Sequence, residues 1–375
     1  MESLLLVWIN EREMKRDVTS MPITQENARE IFEKLKEQTP GSSSEELEFK
    51  ATTGWFTKFK RRSGIKHALM RGRSASADKE AAEKYCLKFQ EFIEIEGYRP
   101  QQIFNCDEAD LFWKRMPNRT YITKDEKSVP GHKPMKDRLT LLLGTNASGG
   151  MKLKPLLVYH SENPRALKTN SIIKSKLPVM WRSNQRAWAM QYLFKEWLIK
   201  VCAPSIKDYL DTDDLPLKAL LLLDNAPGHP KDLEDNLLTD FPWLTVQFLP
   251  PNTTSLIQPM DQEVIAAFKK LYTRALFRRC FEASQFSSTM TLKKFRKEKF
   301  DILEAIRIIQ KAWSEVTQRQ LISAWRKLCP SFVQGDGGDQ GDTPEIMDEI
   351  LTTARDLELE VNEDDIEELI MGHVD

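Results

Sequence analysis

The run Leu220-Leu221-Leu222-Leu223 ends on Asp224. A stretch of strand length, here Leu217–Leu223, whose run Ala219–Leu223 is apolar throughout, fits a β-strand buried on both faces, which means a central strand in a covered sheet. The same pattern of apolar run and acid occurs at Ile103-Phe104-Asn105-Cys106, closed by Asp107, while Asp261 opens an amphipathic stretch just after Pro259. Two carboxylates at the carboxyl ends of buried strands and a third on a following helix are suited to hold two divalent metals at a phosphodiester. The plainer explanation is that strands often end in Asp because Asp favours turns. It accounts for any one of these acids more readily than for all three.

The elements around the acids follow a recognisable order. Ile103–Cys106 reads as a strand, Tyr121–Thr123 as a short one, and Leu139–Gly144 and Leu156–Tyr159 flank the hairpin signal Asn146-Ala147-Ser148-Gly149-Gly150. Helical stretches follow near Ala187–Val201, then strands at Leu217–Leu223 and Val246–Leu249. A helix over Met260–Arg279 has Val264, Ile265, Phe268, Leu271 and Leu276 as its apolar stripe. A strand meander followed by alternating helix and strand is the RNase H-like order. The expected fold is therefore α/β: an RNase H-like core, preceded by an all-α helix-turn-helix domain and followed by a helical, acidic C-terminal segment.

Three helical signals occupy the first 65 residues. Leu4–Glu13 is one, a run from a Thr24 cap to Glu37 is the second, and a short helix capped by Thr53 and stopped by Gly64 is the third. In the third, Trp55, Phe56 and Phe59 form an anchoring side. Thr57, Lys58, Lys60, Arg61 and Arg62, with Lys66, Arg71 and Arg73 beyond, are the candidate DNA contacts. From Lys50 to Ala77 the chain has eight Lys/Arg and no acid, an uninterrupted positive field of the kind phosphates reward; a merely solvated charged face is the alternative. The net charge of −1 conceals this stretch because Ser331–Asp375 holds fifteen acids against Arg355 alone. The expected domains are 1–75 for DNA binding, 76–98 a linker helix, 99–280 the nuclease-type core, 281–334 a helical segment and 335–375 an acidic tail. The tail is expected to be largely solvated. Ile346, Ile350, Leu351, Leu357, Leu359, Ile366, Leu369 and Ile370 offer it one or two amphipathic helices for a protein partner, or for lying on the basic Lys50–Arg73 surface.

Other classes fit poorly. No apolar run approaches the length of about eighteen residues that a membrane span needs, and the absence of a basic-then-apolar leader leads to the expectation of a non-secreted protein. Five scattered cysteines without a CxxC pair argue for a reducing compartment and against zinc. Neither a GxSxG nucleophile elbow nor a Walker or dinucleotide glycine motif is present.

The segments Asn105-Cys106-Asp107-Glu108-Ala109-Asp110-Leu111-Phe112-Trp113, Leu223-Asp224-Asn225-Ala226-Pro227-Gly228-His229-Pro230 and Leu249-Pro250-Pro251-Asn252-Thr253-Thr254-Ser255-Leu256-Ile257-Gln258-Pro259-Met260-Asp261-Gln262 carry a more specific signal. They resemble the transposases of the pogo/Tigger group of DNA transposons and the host proteins derived from them, including jerky-like proteins and centromere protein B. The resemblance covers roughly residues 1–280, and Lys136–Ala166 reads almost as a family consensus. It implies a "DDD" nuclease core with Asp107, Asp224 and Asp261 as catalytic metal ligands for Mg2+ or Mn2+, a double-stranded DNA partner, a nuclear location and an open question of homodimer formation. Relatives usually carry another helix-turn-helix ahead of this module; the sequence begins too late to hold one, so recognition of a long site by two modules is not expected of it.

Carboxylates suit this chemistry because hard cations prefer anionic oxygen donors. On this reading Asp224 holds one ion, Asp107 bridges both and Asp261 closes the second site. Glu108 is the rival of Asp107 but points to the opposite face of a strand. Glu263 is the rival of Asp261 and stands, like Asp110, where relatives often have Gly. Asn225 and His229 are candidates to order the phosphate or a metal-bound water, against a purely structural role in a Pro-Gly turn. Two functional classes follow: a host-adapted DNA-binding protein that keeps a three-Asp nuclease core, and an active metal-dependent DNA endonuclease or transposase. A structure-directed RNase is a weaker third.

Overall fold

In the computed structural model of the chain, the residues described are 1–14, 20–37, 49–65, 77–116, 137–185, 187, 191–226, 228–230, 240–285, 294–333, 343–357, 359 and 361–371. They divide into two compact units, Met1–Met70 and Arg71–Asp375. The weak strand expected at Tyr121–Thr123 lies outside the described residues.

The smaller unit consists of α1 (Glu2–Met14), α2 (Met21–Glu37) and α3 (Thr53–Ser63). Leu5, Ala28, Ala51 and Phe59 are its buried centre, with Trp55 stacked on Phe59 at 5.4 Å between ring centroids. The cap of α3 is Thr52 rather than Thr53: its hydroxyl accepts from Trp55 N at 3.2 Å. Thr24 does not cap α2 either. It lies inside the first turn, buried, and donates to Ser20 O at 3.0 Å.

The larger unit is built on one sheet of order β4-β3-β2-β1-β5-β6. Its strands are β1 (Ile103–Leu111), β2 (Leu139–Asn146), β3 (Leu156–Tyr159), β4 (Met180–Ser183), β5 (Ala219–Leu223) and β6 (Leu244–Phe248). The first three form an antiparallel meander, and β5 and β6 then run parallel beside β1. That arrangement is RNase H-like. Strand β4, which the periodicity does not reveal, adds a parallel edge to β3. It is only four residues long, too short for an alternating pattern to stand out.

Alternation assigns the two faces. Phe104, Cys106, Leu142, Val158, Leu221 and Leu223 pack on a helical stretch that runs as α4 (Gln191–Trp197), a π turn (Leu198–Cys202) and α5 (Ala203–Thr212). Ala109, Leu111, Leu141, Leu143 and Leu157 pack on α6 (Val264–Gln285) and α7 (Ile302–Glu315). Ile103, Leu220 and Leu222 meet Phe89 and Ile93 of the helix Lys79–Glu96 together with Trp325 and Leu328. A sheet covered on both faces explains why β2 and β5 are buried at every position.

The β2–β3 turn is clamped to the end of α7. Lys152 Nζ donates to Trp313 O, Ser314 O and Val316 O at 2.8, 2.9 and 2.7 Å, satisfying carbonyls that a helix end leaves open. Gly149 has φ 64°, and a Cβ there would stand 2.8 Å from Gln318 O, so both its backbone and its surroundings require glycine.

The expectation of a solvated tail is overturned. α8 (Thr343–Asp356) and α9 (Glu363–Met371) bury Ile346, Met347, Ile350, Ala354, Ile366 and Ile370 in the same core as α6. Arg274 of α6 reaches Glu315 at 2.6 Å and Glu349 at 3.1 Å. Acidity governs only the outward face; the apolar stripe takes its place on the domain because burying each large aliphatic side chain is favourable by about 1.5–3 kcal/mol.

Candidate metal centre

Asp107 is in the middle of β1, not at its carboxyl end as the apolar run suggested. Its position is nevertheless terminal in another sense. β5 pairs with β1 only at Ile103↔Leu220, Phe104↔Leu221 and Asn105↔Leu222. Continuing that register two residues brings Asp107 opposite Asp224, the first residue beyond β5. Both acids therefore stand where the parallel pair opens.

Asp261 differs from expectation as well. It belongs to a 3-10 turn, Pro259–Asp261, and not to the helix, which starts only at Val264. Between them Glu263 has φ 66°, a left-handed conformation that favours glycine and breaks the helix from the turn. This is the physical reason why a Gly suits that position better than the Glu found there. It also ends the rivalry of Asp261 and Glu263 as two residues on one helix.

The turn is held against β1 by a residue that the sequence did not single out. Asn105 is fully buried; its Nδ2 donates to Leu222 O at 3.0 Å and its Oδ1 accepts from Met260 N at 2.9 Å. One side chain thus ties β1, β5 and the Asp261 turn together. A buried Asn two residues before Asp107, and so on its face, was the available signal.

Asp107 is 8% exposed, and its Oδ1 accepts from Glu108 N at 2.7 Å. Burial pushes its carboxyl well above the usual range, and the charges of Asp261, Glu108 and Asp224 push it further, while Gln258 favours the charged form. Asp107 thus feels the charges of both Asp224 and Asp261. Asp224 Oδ1 accepts from Ala226 N at 2.9 Å and meets His229 Nδ1 at 2.7 Å.

His229 lies between acids from the two strands. Its Nε2 is 3.3 Å from Glu108 Oε1, without the alignment of a full hydrogen bond, and its ring packs 4.7 Å from that of Phe194. Burial alone lowers its pKa, but the bond to Asp224, the approach of Glu108 and both negative charges outweigh that and push it up to about 10. Glu108 thus faces His229, on the side of the sheet opposite Asp107's partners. Asn225 donates from Nδ2 to Leu249 O and so serves the backbone. Asp110 is paired with Arg138 at 3.0 Å and accepts from Thr140 at 2.8 Å.

Among the described residues no group of three His, Cys, Asp or Glu side chains is arranged as a metal-binding set. The donor chemistry nevertheless suits a hard divalent cation. Asp107, Asp224 and Asp261 offer only carboxylate oxygens, and a buried Asp107 beside three other acids is the kind of uncompensated charge that a cation relieves. Within the chain, Asp107 accepts from Glu108 N, and Asp224 accepts from Ala226 N and meets His229.

In the smaller unit, Thr57, Lys58, Arg61 and Arg62 of α3 are exposed and Lys60 is half-buried. Arg62 is drawn toward α1, with Nη2 2.5 Å from Glu2 Oε1, which also accepts from Trp55 Nε1 at 3.1 Å. Lys66, Arg71 and Arg73 lie outside the described residues.

Residues 136–325 match the family model described as DDE superfamily endonuclease, a stretch that contains Asp224 and Asp261 and begins after Asp107. The human Jerky protein homolog is 31% identical over 344 residues, covering 91% of this chain and 56% of that protein. Human Tigger transposable element-derived protein 7 is 32% identical over 314 residues, covering 80% and 56%. CENP-B homolog protein 2 of Schizosaccharomyces pombe is 28% identical over 266 residues, covering 70% and 48%. The chain spans about half the length of these relatives. Among solved structures, the Mos1 Strand Transfer Complex is similar at 14% identity with a TM-score of 0.42, covering 88% of this chain and 76% of that one.

Proposed function

The chain belongs to the DDE superfamily endonuclease family, and from that premise we propose that it is a transposase-derived DNA-binding protein. It binds duplex DNA through the three-helix unit and keeps, in Asp107, Asp224 and Asp261, a set of carboxylates for Mg2+ or Mn2+. A duplex-DNA partner makes the nucleus its place of work. The observation that carries this reading is the burial of Asp107 among the charges of Asp261, Glu108 and Asp224. Held by these carboxylates, two divalent ions would supply activation of an oxygen nucleophile and stabilisation of the leaving oxygen of a phosphodiester. Asn105 holds the Asp261 turn to the strand bearing Asp107, while the basic face of α3 tracks phosphates without specifying bases.

The same observation favours a second reading, that the core is an active endonuclease or transposase. Clustered acids cost stability when no cation neutralises them, and a protein that only binds DNA has no use for that cost. Incubating the purified chain with supercoiled DNA and Mn2+ separates the two. Active chemistry yields nicked circles that Asp224→Ala abolishes. No nicking above the Asp224→Ala background leaves the DNA-binding reading alone, and loss of duplex binding in a gel shift overturns both.

A further inference from the structure

The backbone pairing of β1 with β5 stops at Asn105↔Leu222. Beyond that point a side-chain bridge joins the two strand ends. His229 Nδ1 is 2.7 Å from Asp224 Oδ1, and Nε2 is 3.3 Å from Oε1 of Glu108, the neighbour of Asp107. The imidazole is 0% exposed and rests against Phe194, so it has no freedom to swing toward solvent. The bonds that His229 and Ala226 N make to Asp224 both fall on Oδ1. An oxygen held from two directions fixes the torsion of its carboxylate.

We propose that His229 is the positioning residue of the candidate metal centre. It sets the direction of the Asp224 carboxylate through Nδ1, while the approach of Nε2 to Glu108 keeps the ring itself seated between β1 and the end of β5. This rests on the reading of Asp107, Asp224 and Asp261 as metal ligands. Groups that orient a ligand in this way typically contribute about 10–100-fold in metal affinity. Neither nitrogen of His229 faces the metal position in this scheme; its whole effect passes through the two acids.

The geometry supplies a discriminating pair of substitutions. In Asn the amide nitrogen stands where Nδ1 of His stands and retains the donor to Asp224, but it is too short to reach Glu108. In Gln the amide nitrogen reaches the place of Nε2 and serves Glu108, not Asp224. Mn2+ binding to the full chain is measured by calorimetry and by the electron paramagnetic resonance of free Mn2+, with near-ultraviolet circular dichroism and the urea midpoint as controls for folding. His229→Ala and His229→Gln should weaken Mn2+ binding by about 10–100-fold, and His229→Asn should restore most of the loss.

Should His229→Ala bind Mn2+ as the unmodified chain does while Asp224→Asn does not, the positioning role is overturned and the ligand reading stands. An unmodified chain that fails to bind Mn2+ removes the ligand reading and the inference with it. If His229→Ala does not fold, the Asn and Gln variants decide alone. Equal affinities in those two, whether retained or reduced, mean a structural histidine and overturn the proposal.

Discussion

Helices α3 and α8 are built alike and charged oppositely. α3 buries Phe59 with Trp55 beside it and turns Thr57, Lys58 and Arg61 outward. α8 buries Ile346, Met347 and Ile350 and turns Glu345, Asp348 and Glu349 outward. Read by charge alone, the first belongs to a DNA-binding module and the second to a solvated tail. Read by apolar stripe, both are docked helices, and that is what the structure contains. Net charge reports what a segment offers to a partner; the stripe reports whether it is anchored. The two properties are carried by different faces of the same helix.

Phe59→Ala is expected to have the largest effect. Phe59 is 0% exposed in the small core that it shares with Leu5, Ala28 and Ala51, so truncation should cost about 3–5 kcal/mol. In a unit with so few buried side chains, urea unfolding followed by circular dichroism should then find the three helices largely unfolded in the absence of denaturant. A midpoint close to that of the unmodified chain would mean that α3 is not anchored through this stripe.

Next in size is Ile350→Ala, which should cost about 2–5 kcal/mol and speed amide exchange in α8 and along α6, because Ile350 is 0% exposed in their common core. The Arg274–Glu349 pair is 60% exposed on the glutamate side and contributes at most about 1 kcal/mol, so Glu349→Gln should leave α8 docked. Exchange in α8 as rapid in the unmodified chain as in Ile350→Ala would restore the solvated-tail reading.

The smallest of these effects concerns binding. Reversing Lys60 and Arg61 to Glu should weaken duplex affinity roughly tenfold at low salt, equally for unrelated sequences, and lower the salt slope by about one for each phosphate no longer neutralised. Weakening confined to one sequence would make α3 a reader of bases, and unchanged affinity would remove it from the DNA interface.

Much of this molecule is legible in local pattern. The apolar runs place β2, β3 and β5 within a few residues, and the periodic stripes place α3, α6 and the two C-terminal helices, because burial on a face imprints period on the residues themselves. Asp107 and Asp224 stand out for the same reason: each interrupts such a run. What the sequence could not contain is the relation between segments far apart in the chain. The extra length of β1 comes from pairing with β2 through Leu111↔Leu139. That Asp261 occupies a turn and not a helix depends on Glu263 at φ 66° and on Asn105 gripping Met260 N from 155 residues away. His229 becomes a bridge only because β1 and β5 set Glu108 and Asp224 on either side of it. The acidic helices found their partner in α6, which no stripe of their own names. An amphipathic pattern specifies that a face must be covered; only tertiary packing decides by what, because the gain from burial depends on area and shape and not on which segment supplies them.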